Sequence, residues 1–272
     1  GKMLAFNAAG YIYTKVLPDG VPTRISSGTD FEFEPEFSPD GKFIVFVSWN
    51  DEHKGSIYKK DLLTQQIIKL TTDKGYYYGP KFSGKGDQIV FRKGSGNDVL
   101  GYAFGKNTGI YIMPSEGGTP KLIINNGIRP SFNSTDTRIW FQSNEAGKKA
   151  FKSVDLNGGT ARTHFTSQYA NIFSPSPDGK WIAFSELFNV YITPLTTTGA
   201  ALDLSASNKS IPLTKVTRDA GTYVHWSKDS QKLNWTLGPR YFTKDIKTAF
   251  PFLETAEDKS AKTDTLGIDL GL

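Results

Sequence analysis

His53, His164 and His225 are the only imidazoles in a 272-residue chain that contains no cysteine. No two of them stand at the i, i+2 or i, i+4 spacing that presents a pair to one metal from a strand or helix. Disulfides, thiolate metal sites and cysteine nucleophiles are excluded together. His53 sits among loop residues with Asp51 and Glu52, and His164 reads as a surface residue ahead of the expected strand Phe165-Thr166. His225, on an expected strand beside Trp226, is the one histidine placed to face a ligand, a metal or a partner domain. No Gly-x-Ser-x-Gly elbow supplies a serine nucleophile. Gly101-Tyr102-Ala103-Phe104-Gly105-Lys106 misses the spacing of a phosphate-binding loop and no helix follows it, while Gly94-Ser95-Gly96 lacks the βαβ unit a dinucleotide fingerprint needs. Both read as one long hairpin excursion.

Binding chemistry is better represented than catalysis. Asp30, Glu32 and Glu34 precede Phe37; Tyr76, Tyr77 and Tyr78 precede Phe82; Arg129 precedes Phe132; Tyr223 and His225 flank Val224 and lead into Trp226. Carboxylates, aromatics and an arginine gathered at one place suit an extended peptide, a sugar or a partner's loop. From these the ligand- or partner-binding candidates are Glu34, Tyr77, Tyr78, Arg129, Tyr223 and His225, to which Arg240 is added; Arg92 is a weaker one. No residue is assigned a catalytic role, and no metal or cofactor is expected in this chain.

What gathers those residues is a repeat. Ser38-Pro39-Asp40-Gly41-Lys42 recurs as Ser176-Pro177-Asp178-Gly179-Lys180, each followed by an apolar run, Phe43-Ile44-Val45-Phe46 or Trp181-Ile182-Ala183-Phe184. Looser copies run through Phe82-Ser83, Phe132-Asn133 and Trp226-Ser227, so the position before the turn recurs at 37, 82, 132, 175 and 226. Serine, proline and glycine in this order suit a tight turn between two strands, and a period of 43 to 51 residues is that of a propeller blade. Two further short strands per unit, Ile57-Tyr58 then Ile68-Lys69-Leu70-Thr71 in the first full copy, make each blade four-stranded. Met3-Leu4-Ala5-Phe6 fits the second strand, so the chain is expected to open inside a blade.

The expected fold is therefore all-β: a propeller over 1–244, with four-stranded antiparallel blades at about 1–30 (partial), 31–74, 75–125, 126–167, 168–216 and 217–244. That makes six blades, and one more upstream would make seven. In such a fold the segments entering each first strand converge on one end of the central channel, which unites the candidates above. The last blade shows no clear fourth strand. Residues 245–272, charged and poor in apolar side chains, read as a linker or tail, and residues preceding Gly1 are the expected donors of the missing first strand.

Pro-x-Phe-Ser-Pro-Asp-Gly-Lys-x-Ile-x-Phe, with its later Ile-Tyr and Leu-Thr strands, resembles the TolB-type β-propeller repeat over residues 2 to about 244. Gly221-Thr222-Tyr223-Val224-His225-Trp226-Ser227 and Leu233-Asn234-Trp235-Thr236-Leu237-Gly238-Pro239-Arg240-Tyr241-Phe242 resemble the last blade of the propeller that precedes a metal-dependent amidohydrolase domain in large secreted proteins. Gly267-Ile268-Asp269-Leu270-Gly271-Leu272 is similar to the junction into that domain. The resemblance implies a non-catalytic front module whose partner is its own downstream catalytic domain or a protein or peptide, with metal and hydrolysis belonging to that domain. It also implies a periplasmic or other extracytoplasmic location. The alternatives are a stand-alone TolB-like envelope interaction module and, with least support from three scattered histidines, a propeller sugar lyase.

Composition agrees with a folded module: 38% hydrophobic and 13% aromatic residues in a chain long enough to bury roughly 75% of its unfolded surface. The net charge of +5 is spread along the chain, and its basic runs are pairs, Lys59-Lys60 and Lys148-Lys149, expected on surface strands or turns. That pattern argues against nucleic acid as a partner, and no stretch approaches a membrane span.

Overall fold

The computed structural model describes residues 2–94, 107–197, 199–250 and 267–271. Most of the hairpin excursion expected over 94–108 and most of the tail expected over 245–272 lie outside them. The residues form six sheets of an all-β propeller. The first holds β1 (Met3–Ala8), β2 (Tyr11–Val16) and β3 (Thr23–Arg24); the second β4 (Phe31–Phe37), β5 (Phe43–Asn50), β6 (Lys54–Asp61) and β7 (Ile67–Lys69). The third holds β8 (Tyr76–Phe82), β9 (Gln88–Gly94), β10 (Gly109–Pro114) and β11 (Lys121–Ile124); the fourth β12 (Ile128–Phe132), β13 (Arg138–Glu145), β14 (Lys148–Asp155) and β15 (Arg162–Ser167). The fifth holds β16 (Ala170–Pro175), β17 (Trp181–Glu186), β18 (Asn189–Pro194) and β20 (Thr214–Lys215); the sixth β21 (Thr222–Trp226), β22 (Lys232–Leu237), β23 (Arg240–Asp245) and β24 (Ile268–Asp269). Between β18 and β20 the chain sends out β19 (Leu202–Asp203), which pairs in parallel with the outer strand of the fourth sheet. Two compact units result, one of Lys2–Ser143 with Lys152–Arg162 and one of Asn144–Phe151 with Thr163–Leu272.

The repeated turn is held by its own side chains. Ser38 Oγ donates to Asp40 at 2.6 Å, the same carboxylate accepts from Lys42 N–H, and Phe43 N–H returns to Ser38 Oγ. Ser176, Asp178, Lys180 and Trp181 repeat the arrangement, and Ser227 with Asp229 does so in the sixth sheet. The closing position is left-handed in all five turns: Gly41, Gly86, Asp136, Gly179 and Ser230 have φ of +73°, +79°, +55°, +71° and +60°. Glycine takes that conformation without strain. Asp136 and Ser230 use the position for a clasp instead: Asp136 accepts from Gly84 and Lys85 N–H at 2.7 and 3.0 Å, and Ser230 Oγ accepts from Asp178 N–H at 3.0 Å.

Burial follows the second and third strands. Val45, Val47 and Ile57 pack with Ile89, Phe91 and Met113; Val90, Ile110 and Ile112 pack with Ile139, Phe141 and Val154. In the other unit Ala183, Val190 and Ile192 pack with Leu233, Ile246 and Phe250. These layers are apolar faces of adjacent sheets, which is why the aromatics recur at one repeat position.

Three sequence expectations are corrected. Lys59 and Lys60 are not surface residues: Lys59 is buried and reaches Glu116 at 2.7 Å, and buried Lys60 donates to the Ile25 carbonyl, its pKa lowered by desolvation. His164 is buried too, with its ring 6.4 Å from that of Phe151. The sixth sheet does have a fourth strand, supplied by Ile268–Asp269 from within the segment that reads as a tail.

Candidate functional site

The first strand of each full sheet is its edge strand, and in the first unit β4 packs on β8 and β8 on β12. Each of these strands is bulged at one point. Phe33 and Glu36 pair with Val47 and Val45, so Glu34 and Pro35 together oppose Phe46. Gly79 and Pro80 oppose Phe91 in the same way, and Arg129 and Pro130 oppose Phe141. In the second unit Tyr223 and Val224 oppose Trp235. In these four strands the leading residue of the bulge is left-handed, with φ of +53° at Glu34, +55° at Gly79, +53° at Arg129 and +51° at Tyr223, whereas the register shift of β16 between Ala170 and Ile172 carries no left-handed residue. A proline fits the second bulge position because the ladder needs no N–H there.

This backbone explains the display of the candidate side chains. A left-handed bulge reverses the alternation of the strand, so residues on both sides of it reach solvent. Glu34 and Arg129 are exposed, and so are Phe31, Phe33, Tyr78 and Ile128, each between 38% and 50%. Large apolar side chains grouped on one rim between opposite charges form a surface suited to a partner. Non-glycine residues in this conformation each cost on the order of 1–3 kcal/mol, and such strain concentrates at functional positions.

Further contacts fix the rim. Glu34 accepts from Gly79 N–H at 2.6 Å, and its own N–H donates to Asn7 Oδ1 at 2.9 Å. The Arg92 guanidinium stands 5.1 Å from the centre of the Tyr78 ring, and Phe31 packs on Phe33 and Tyr11. Below the bulge Glu36 has its pKa raised by burial, with Lys81 opposing the shift.

Not every sequence candidate reaches this surface. Tyr77, between two rim residues in sequence, points into the core beside Phe91 and donates its hydroxyl to the Asp73 carbonyl; burial, with Asp73 adding to it, pushes its pKa up to about 12. Glu32 is buried and accepts from Ile12 N–H, so it braces the rim from behind. Conversely Phe31, Phe33 and Ile128 escaped the sequence reading; the alternation Phe31-Glu32-Phe33-Glu34 was the available signal, one face in and one face out.

In the second unit Tyr223 is 79% exposed. His225 is turned inward: Nδ1 lies 2.8 Å from the Tyr223 carbonyl and Nε2 lies 3.2 Å from the hydroxyl of buried Tyr241, whose pKa burial drives upward. Arg240 stands at the same end of the sheet as Thr222 but two strands further out, paired with Asp269. Among the described residues no group of three or more His, Cys, Asp or Glu is placed to hold a metal ion.

No protein-family model matches the chain. The Tol-Pal system protein TolB of Francisella tularensis subsp. mediasiatica is 28% identical over 155 residues, 55% of this chain and 34% of that protein. The crystal structure of TolB from Acinetobacter baumannii superposes with a TM-score of 0.64 at 22% identity, covering 86% of this chain and 56% of that one. The fold is a TolB-like β-propeller. The match spans about a third of the length of the curated relatives. The TolB-like fold is not confined to TolB: an oligogalacturonate lyase in complex with manganese superposes with a TM-score of 0.60 at 10% identity over 86% of this chain and 70% of its own, a likeness of fold alone. Among the described residues no helix is long and apolar enough to cross a membrane.

Proposed function

We propose that this propeller is a non-catalytic interaction module that takes an extended peptide segment of a protein partner on the rim formed by β4, β8 and β12. The observation that carries the reading is the recurrence of the left-handed bulge at Glu34, Gly79 and Arg129, which holds exposed aromatics beside a carboxylate and two guanidinium groups. An extended segment with apolar side chains at alternate positions suits Phe31, Phe33 and Tyr78, and charged flanks suit Glu34, Arg92 and Arg129. The likeness to a Tol-Pal system protein supports a place at the cell envelope, outside the cytoplasm. The test is selection from a random peptide library on the immobilised propeller, followed by a counter-screen on Phe33→Asp and Arg129→Ala. Peptides that bind the unaltered chain and lose at least tenfold on either variant support the reading; equal binding to both variants overturns it.

The wider setting is part of the same proposal. Gly221–Ser227 and the Leu233–Phe242 run support a chain that forms the propeller part of a secreted amidohydrolase-like hydrolase, whose metal and chemistry lie in another domain. Sequencing the coding region beyond Leu272 tests it: a barrel domain with a His-x-His motif supports the assignment, and a stop codon refutes it while leaving the rim untouched.

A further inference from the structure

The β17–β18 hairpin of the fifth sheet ends in a two-residue turn, Leu187 and Phe188, closed by the pair Glu186 and Asn189. The first and fourth sheets turn at the same place with Ala9-Gly10 and Ala146-Gly147. The backbone is shared: φ is +47° and +83° in the first, +48° and +80° in the fourth, and +45° and +73° at Leu187 and Phe188. Such a turn needs two left-handed residues and is served best by Asn-Gly. Leucine and phenylalanine fit it poorly, since bulky side chains resist positive φ. They also face water there, Leu187 at 65% and Phe188 at 79% exposure. Backbone strain combined with exposed apolar surface marks a functional position.

The turn is held rigidly, and it has aromatic and cationic neighbours. Gly221 N–H donates to the Phe188 carbonyl at 2.9 Å, and Gly221 is itself locked, because a Cβ there would lie 2.8 Å from Val190 and 2.9 Å from Thr217. Exposed Tyr223 follows two residues on. Tyr169, 59% exposed, precedes Ala170, which pairs with Glu186 at the base of the turn. Lys215 and Arg218 are exposed on the connection leading to Gly221, and Arg240 is exposed just past the neighbouring β22–β23 turn. Asp219, 3.8 Å from Arg218, and Asp269, the ladder partner of Arg240, offset these cations only in part. All of these residues belong to the second unit.

We propose that Leu187 and Phe188 form an insertion tip for an anionic lipid surface. The tip enters the acyl boundary, Tyr169 and Tyr223 lie at the headgroup level where aromatic rings with a polar end partition, and Lys215, Arg218 and Arg240 meet lipid phosphates. The order of apolar tip, tyrosines and cations is that of a membrane interface. A turn end would touch a flat protein surface through two side chains, far short of the roughly 800 Å² per partner that a stable interface buries. Lipid closes around whatever protrudes. Binding is reversible, since two side chains and a few cations supply less than a permanent anchor. None of these residues lies on the rim of β4, β8 and β12, so either proposal can fail alone.

The test is co-sedimentation of the whole chain with sucrose-loaded vesicles of phosphatidylcholine, with and without phosphatidylglycerol as a minor component. Saturable binding to the anionic vesicles is expected, weakening as salt is raised. Leu187→Asn combined with Phe188→Gly should weaken it about thirtyfold or more. Because Asn-Gly suits this turn, the same double variant should melt at a higher temperature than the unaltered chain, which separates loss of binding from loss of fold. Arg218→Gln combined with Arg240→Gln should weaken binding to anionic vesicles about tenfold. Absence of binding to anionic vesicles, equal binding by either double variant, or a lower melting temperature for the first overturns the proposal. A concentration-dependent dimer abolished by Leu187→Asn with Phe188→Gly, with vesicles left unbound, also overturns it and assigns the turn to a second copy of the chain.

Discussion

The carboxylate of Glu34 accepts a hydrogen bond at 2.6 Å from the backbone N–H of Gly79, and the two residues occupy the same repeat position in neighbouring sheets. Each is left-handed and each opens a bulge in an edge strand. One bulge thus anchors the next, and the side chain that makes the anchor is held in a conformation that glycine would adopt more easily.

That relationship gives opposing effects of known sign. Glu34→Ala removes the bond and keeps the strain; Glu34→Gly removes both. An exposed hydrogen bond of this kind contributes about 1 kcal/mol or less, and relief of the left-handed conformation gains about 1 kcal/mol. Glu34→Gly should therefore be more stable than Glu34→Ala by about 1 kcal/mol, read from urea unfolding midpoints. Equal midpoints would mean the bulge is unstrained.

Asp136 clasps the preceding turn through two charge-assisted bonds to Gly84 and Lys85 N–H. Asp136→Ala loses both while retaining a left-handed alanine, a cost of about 1–3 kcal/mol. Asp136→Gly should recover about 1 kcal/mol of that loss. Thermal melts of the two variants against the unaltered chain provide the comparison.

Tyr77 and Tyr78 should separate core from rim. Tyr77→Phe removes the buried hydroxyl bond to Asp73 O and should cost about 1 kcal/mol without changing affinity for a rim-selected peptide. Tyr78→Ala should do the reverse, leaving stability within about 0.5 kcal/mol and weakening the peptide. Affinity loss in Tyr77→Phe would contradict the assignment of that residue to the core.

Burial raises the pKa of Glu36 above its ordinary 4.5. The folded chain then holds more protons than the unfolded one between 4.5 and the raised value, so this residue's contribution to stability falls as pH rises through that window. Glu36→Gln should flatten this part of the pH–stability curve and be relatively more stable above it. Parallel curves for the two chains would contradict the shift.

Much of the fold was legible because the turns carry their own instructions. Ser38, Asp40 and Gly41 fold a turn with little help from tertiary structure, so counting from them gave an all-β propeller of six blades. The strands that escaped notice are two residues long: β19 is a parallel addition to another sheet's edge and β24 follows a long polar run, and neither leaves a periodic pattern to read. The rim was half legible. Glu34 and Arg129 stand before prolines, a visible mark of an irregular strand, but the left-handed turn that exposes both Phe33 and Glu34 is a backbone property shared with Tyr223, which precedes valine. Tyr77 was misplaced because three tyrosines in a row look alike, although a strand must bury one face of them. Buried Lys59, Lys60 and His164 show the limit of composition: their burial is permitted by particular partners, Glu116, the Ile25 carbonyl and the Phe151 ring.

Hydrogen–deuterium exchange on the propeller, with and without a saturating library-selected peptide, tests the rim most directly. Protection confined to Phe31–Glu34, Tyr76–Gly79 and the Ile128–Pro130 stretch is the expected result. Protection elsewhere, with these three segments exchanging as in the free chain, would contradict the assignment of the rim as the partner-binding surface.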